Sequence, residues 1–205
     1  MRPRPNNHQL TENNVLVRDD FLDPAARRQI LDELGRCQWK ASETVNLKSK
    51  GQRGRKQDSG RVSMTVTAGE WPTNIVFGLG RIEQSLARQF GIVGERLEEW
   101  QATRYMAGDS FDFHLDCGCF AKDPAGERRT TIMIFLDRPL QGGGTFFRAL
   151  NLEIKAVAGR IVLWNNLLAN GNCNHAMIHA GLPVIRGVKT ILITWERQRR
   201  YARKY

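Results

Sequence analysis

From about Leu97 onward the chain is a succession of short segments rich in β-branched and aromatic residues: EWQATRYM, SFDFHLD, RTTIMIFL, GTFFRAL, LEIKAV, RIVLWN, HAMIHA and KTILITWER. Gly, Pro, Asn or Asp separates most of them, which is the pattern of an all-β barrel or double-sheet sandwich. The part before Leu97 reads differently. An alternating stretch, NVLVRDDFL, leads to Asp23-Pro24 and AARRQILDELGRC. Asp23 as N-cap, Pro24 in the first turn and apolar Ile30, Leu31 and Leu34 predict an amphipathic helix. Pro72 and Thr73 open a second helix in which Val76, Leu79, Ile82 and Leu86 recur at helical spacing. The expected fold is therefore mainly β with N-terminal helices, the helices packed against a C-terminal jelly-roll core.

A chain of 205 residues, 41% of them hydrophobic, can bury one sizeable core. We expect a single domain over 1–205. Its parts are a loose arm at 1–13, a helical layer at 14–96 carrying a basic loop at 46–60, the β core at 97–197 and a basic tail at 198–205. No apolar run approaches the ~20 residues of a membrane span, and MRPRPNNHQL lacks the apolar block of a secretory signal. These features predict a soluble, cytoplasmic protein with no membrane partner. Cys37, Cys117, Cys119 and Cys173 match neither a paired zinc pattern nor a dense disulfide framework, so free buried thiols are expected.

Thirty-one basic against 21 acidic residues give a net charge of +10. The excess gathers in Lys48, Lys50, Arg53, Arg55, Lys56 and Arg61, and again in Arg197, Arg199, Arg200, Arg203 and Lys204. Such blocks attract polyanions, whether nucleic acid, an acidic carrier or an acidic peptide, or else remain a solvated loop and tail.

The chemistry-bearing residues lie in the β half. His114 and Asp116 stand two apart in FDFHLD, so on a strand both project from one face. His179 follows far along the chain in another strand-like segment. Two histidines and a carboxylate on neighbouring walls of a barrel form the facial triad of non-haem Fe(II) oxygenases, leaving coordination positions open. Lys189, ten residues after His179, lies where a strand can aim its ammonium into the barrel. A buried lysine needs an anion. That anion is either a protein carboxylate or the distal carboxylate of 2-oxoglutarate, around which Tyr105 and Thr131 would add neutral donors.

In order along the chain stand VLVRDDFLDPAARRQI, GRVS, RYMAGDSFDFHLD, RRTTIMIFLD, the GGGTFF turn, AGRIVLWNN and HAGLPVIRGVKTILITWER. This series resembles the prolyl 4-hydroxylase-like branch of the Fe(II)/2-oxoglutarate dioxygenases, from roughly Asn14 to Arg197. The resemblance implies a double-stranded β-helix, Fe(II) held by His114, Asp116 and His179, and 2-oxoglutarate held by Lys189 with Thr131 and Tyr105. O₂ is the second co-substrate, and ascorbate enters as a reductant. It selects His179 over His175, because AGLPV and the spacing to Lys189 match the family pattern. Asp116 favours hydroxylation, since related halogenases lack this carboxylate. The resemblance also gives Arg128 and Trp195 to the substrate groove, and Arg61 of the GRVS element is grouped with them.

The expected substrate is an amino acid, free, peptidyl or carrier-bound, and acidic if the basic loop is a lid. Two alternatives compete. A nucleic-acid or alkyl-lesion oxygenase would suit the charge, but such relatives generally hold 2-oxoglutarate with arginine. A basic nucleic-acid-binding module without catalysis would leave the triad and Lys189 incidental.

Overall fold

A computed structural model of the chain describes residues 10–11, 13–47, 53–56 and 60–203. Its elements run β1 (Val15–Arg18), α1 (Pro24–Leu34), β2 (Lys40–Ala41), β3 (Thr44–Leu47), β4 (Arg53–Lys56), β5 (Met64–Thr67) and α2 (Thr73–Phe90). The β half follows as β6 (Gln101–Tyr105), β7 (Phe111–His114), β8 (Arg128–Phe135), β9 (Gln141–Gly142), β10 (Thr145–Phe147) and β11 (Leu152–Ile154). It ends with β12 (Ile161–Asn165), β13 (His179–Gly181), β14 (Val184–Arg186) and β15 (Lys189–Arg197).

Seven strands pair in the order β1-β12-β8-β15-β6-β5-β2, and four in the order β11-β10-β13-β7. Every pairing is antiparallel. The large sheet explains why its strands read as nearly continuous apolar runs: both of its faces are buried. On β8, Ile132 and Ile134 face the helices, where they join Ile30, Leu34, Leu79 and Leu86. Met133 and Phe135 point the other way, into the core shared with the small sheet, where Phe147, Trp164 and Met177 lie. On β12 the same alternation sends Leu163 to the helices and Trp164 into the barrel. The result is the double-stranded β-helix with a helical layer expected from the sequence.

Local chemistry sets the helix ends. The Asp23 carboxylate accepts from the backbone N–H groups of Ala25 and Ala26, both at 2.9 Å, satisfying donors that the first helical turn leaves without partners. Gly91 closes α2 in the left-handed conformation (φ 68°), its N–H turned back to the Ala87 carbonyl while the N–H of Ile92 reaches that of Leu86.

Three expectations are corrected. Residues 46–60 are not a plain loop: β3 and β4 form an antiparallel pair from Thr44↔Lys56 to Leu47↔Arg53. Backbone hydrogen bonds make such a ladder without any apolar period for the sequence to display. Lys48 and Lys50 lie outside the described residues. Arg197 is not part of a solvated basic run, for it is buried and held by Glu98 and Asp123. Beyond it Arg199 returns its N–H to the Ala125 carbonyl, and Arg203 reaches Glu83 and the Leu97 carbonyl. Finally, Cys117 and Cys173 are joined in a disulfide with Cα atoms 5.9 Å apart, leaving Cys37 and Cys119 outside any disulfide. The two partners lie 56 positions apart in the chain, so no local spacing announces the bond.

Candidate active site

β7 and β13 are neighbours in the small sheet, and their register places His179 directly opposite His114. Asp116 lies two residues past the end of β7, where the chain turns inward and buries the carboxylate. Ligand atoms of His114, Asp116 and His179 all fall within 4.8 Å of one another. The His114 Nε2 is 3.9 Å from Asp116 Oδ1, and the His179 Nε2 is 3.9 Å from Asp116 Oδ2.

Both imidazoles are oriented from behind. His114 Nδ1 lies 2.7 Å from the Asp112 carbonyl, and His179 Nδ1 lies 2.9 Å from the Met177 carbonyl. A carbonyl oxygen only accepts, so each Nδ1 carries a proton and donates it, which turns each Nε2 towards Asp116. Burial, and then the neighbouring His179, push the His114 imidazole down to about 3, so it is neutral at physiological pH. Burial alone would raise the Asp116 pKa, but His179, His114, Arg128 and the Thr131 hydroxyl outweigh it and hold the carboxyl below its usual range. Two imidazole nitrogens and one carboxylate oxygen converging on a point are the donor set of an open Fe(II) site, and the residues fit that ion. His175 stands apart. It is exposed on a 3-10 turn, His175–Met177, so HAMIHA is a turn followed by a strand rather than one strand.

Behind the cluster, β15 carries Lys189 opposite Tyr105 of β6. Lys189 is 2% exposed, and among the described residues no carboxylate lies within ion-pair distance of its Nζ. Burial lowers its pKa to about 8. Space beside it is kept by glycine: a Cβ at Gly181 would sit 3.6 Å from Nζ, and one at Gly143 would sit 3.5 Å from Cδ. The Tyr105 ring is buried, and burial raises its hydroxyl pKa, with Arg61 and Ser63 acting in the opposite sense. Thr131 is placed differently from the sequence reading. Its hydroxyl donates to Asp116 Oδ2 at 2.6 Å and accepts from Asn166 Nδ2 at 2.8 Å.

His114 and Asp116 open into a groove of about 1210 Å³. Its wall holds Arg128, whose Nε and Nη2 donate to Glu98 at 2.8 and 2.7 Å while its guanidinium stacks 3.5 Å over Trp195. Arg197 donates to Glu98 as well. Arg61 is at the opposite rim, over the Phe111 ring and donating to the Glu43 carbonyl. The sequence reading missed Glu98, Asn166 and the Cys117–Cys173 bond. The polar pair in LWNN at the end of an apolar strand is the one local sign of Asn166, and nothing local marks Glu98.

Comparison with known proteins agrees with this geometry. Residues 100–197 match the 2OG-Fe(II) oxygenase superfamily. A putative prolyl 4-hydroxylase of Acanthamoeba polyphaga mimivirus is 30% identical over 129 residues, covering 59% of this chain and 53% of that protein. Prolyl 4-hydroxylase subunit alpha-1 of Caenorhabditis elegans is 26% identical over 141 residues, covering 66% of this chain and 25% of that one. The chain thus spans from a quarter to about half of these relatives' length. A viral collagen prolyl hydroxylase from Paramecium Bursaria Chlorella virus-1, solved with 2OG, superimposes with a TM-score of 0.66 at 22% identity, covering 89% of this chain and 95% of that one. That likeness establishes the fold, and over residues 100–197 the sequence match is to the 2OG-Fe(II) oxygenase superfamily.

Proposed function

We propose that the protein is an Fe(II)- and 2-oxoglutarate-dependent hydroxylase acting on peptidyl proline. The convergence of His114, Asp116 and His179, whose ligand atoms lie within 4.8 Å of one another, beside a groove of about 1210 Å³ that His114 and Asp116 line, carries this reading. His114, Asp116 and His179 hold Fe(II). Lys189 takes the distal carboxylate of 2-oxoglutarate, with Tyr105 beside it, and this anion is the partner its buried ammonium lacks among the described residues. Together Fe(II), 2-oxoglutarate and O₂ supply the oxidation: one oxygen atom enters the C–H bond and the other leaves in succinate, with CO₂ released.

The chain's own residues bind and orient. Trp195 lines the groove, and its buried indole N–H has no acceptor among the described residues. Arg128 backs that indole as a stacked cation whose charge Glu98 already balances. Arg61 contributes its stack on Phe111 to the opposite rim.

Groove electrostatics narrow the substrate. Four basic side chains face six carboxylates along the wall, and Lys40, Arg128 and Arg197 are each paired to a glutamate. The described wall therefore holds no surplus positive charge, which favours a neutral proline-containing peptide over the acidic one that net charge alone indicates. No helix of the described residues is long and apolar enough to cross a membrane. A lasting Cys117–Cys173 bond fits an oxidising compartment better than the cytoplasm expected from the sequence.

The test is to incubate the Fe(II)-loaded protein with 2-oxoglutarate and neutral, acidic and basic peptides of matched length containing proline. Expected are stoichiometric succinate and the gain of one oxygen atom on proline, strongest for the neutral peptide. Succinate release without an oxidised peptide in any arm would remove proline as the substrate. No 2-oxoglutarate turnover at all would remove the dioxygenase reading.

A further inference from the structure

Thr131 Oγ1 has one proton, and that proton goes to Asp116 Oδ2. One of its lone pairs takes the amide N–H of Asn166. The hydroxyl is therefore directed, because a donor on its acceptor side leaves the O–H no better partner than the carboxylate. Thr131 is 0% and Asn166 2% exposed, so water does not compete for the hydroxyl or for the amide that directs it.

Asn166 is fixed in turn. Its N–H bonds the Arg129 carbonyl at 2.8 Å and its carbonyl accepts from Asn174 at 2.7 Å. Asn174 follows Cys173, whose disulfide partner Cys117 follows Asp116. Asp116 is thus gripped on two sides by one segment, through its side chain by the Asn166–Thr131 chain and through its backbone neighbour by the disulfide.

We propose that Asn166 and Thr131 are positioning residues for the metal-binding carboxylate, occupying Oδ2 so that Asp116 offers Oδ1 to the ion as a single, oriented ligand. The inference rests on the metal assignment above. It departs from the role that family resemblance gives Thr131, since a hydroxyl whose proton is committed to Asp116 has none for 2-oxoglutarate. Carboxylate ligands that are hydrogen-bonded from behind characteristically lose 10- to 100-fold in metal affinity when that support is removed.

The experiment measures the Fe(II) dissociation constant of the metal-free protein under anaerobic conditions, and separately 2-oxoglutarate affinity at saturating metal. Thr131→Val, Thr131→Ser, Asn166→Ala and the double variant Thr131→Val/Asn166→Ala are compared with the unmodified chain, with thermal unfolding of the metal-free proteins as a control on folding. Thr131→Val should weaken Fe(II) binding roughly 10- to 100-fold, and Thr131→Ser should restore it. Asn166→Ala should weaken binding in the presence of Thr131 and add nothing in the Val background, because the two residues act through one hydroxyl. Should Thr131→Val not fold, Asn166→Ala against Thr131→Ser carries the same comparison. Unchanged Fe(II) affinity, or a loss confined to 2-oxoglutarate, overturns the inference and returns Thr131 to the co-substrate. Additive effects of the two substitutions overturn the relay. If the unmodified chain binds no Fe(II), the failure lies instead with the proposed function.

Discussion

The Lys189 ammonium stands 4.0 Å from the centre of the Tyr105 ring, its cross-strand partner, with a depressed pKa of about 8 that burial alone produces. A bound carboxylate stabilises the charged form, so 2-oxoglutarate should bind with proton uptake once the pH exceeds about 8. Below that pH the ammonium is already charged and affinity should be flat. Above it, affinity should fall by about tenfold per pH unit, because only the protonated fraction binds. Tyr105 does not confuse the measurement, since burial moves its hydroxyl upward and away from this window. Calorimetry of 2-oxoglutarate binding from pH 7 to 9.5, in buffers of different ionisation enthalpy, checks this. A dissociation constant independent of pH would mean that Lys189 does not hold the anion.

Substituting Lys189 by Ala should raise the 2-oxoglutarate KM more than a hundredfold while leaving Fe(II) binding nearly unchanged. Removing one member of a buried charge pair costs roughly 3–5 kcal/mol, which is two to more than three powers of ten in affinity. Steady-state kinetics and metal titration separate the two effects.

His114→Ala, Asp116→Ala and His179→Ala should each lose Fe(II) and 2-oxoglutarate turnover, because each supplies one vertex of a three-point site. His175→Ala should keep both, being exposed on the turn before β13. Metal content after dialysis is the direct readout, and loss of metal from the His175 variant would move the distal ligand.

Trp195→Phe keeps the stack on Arg128 and removes only the indole N–H, which has no acceptor among the described residues. If that donor meets a peptide carbonyl, the peptide KM should rise by up to about tenfold, the worth of one net hydrogen bond. Uncoupled 2-oxoglutarate turnover should not change. An unaltered peptide KM would place the peptide elsewhere in the groove.

Under denaturing, non-reducing conditions two thiols, Cys37 and Cys119, should react with a thiol reagent, and four after reduction. A loop of this length closed by a disulfide restricts the unfolded chain by about 4 kcal/mol in the chain-entropy treatment. Reduction should therefore lower the urea midpoint of the folded protein. Four reactive thiols before reduction would mean that the bond is not made.

Features set by neighbouring residues are legible in the chain itself. The Asp23-Pro24 start of α1, the spacing of Val76, Leu79, Ile82 and Leu86 on α2, and the apolar strands of the large sheet are all decided within a turn or a strand length. His114 and Asp116 belong to the same class, since they are two residues apart.

What the sequence determined by itself is the set of side chains and their local periods: a barrel with helices, two histidines and a carboxylate, and a lysine on a strand. The tertiary structure decided who meets whom. Glu98 meets Arg128 and Arg197 only because β8 and β15 lie side by side, and Cys117 meets Cys173 across 56 positions. Thr131 turns to Asp116 rather than to Lys189 because Asn166, brought beside it by the β12–β8 pairing, directs its hydroxyl. Helix and strand periods are short-range steric properties of the backbone, whereas a buried charge or hydroxyl takes its partner from whatever the fold carries to it.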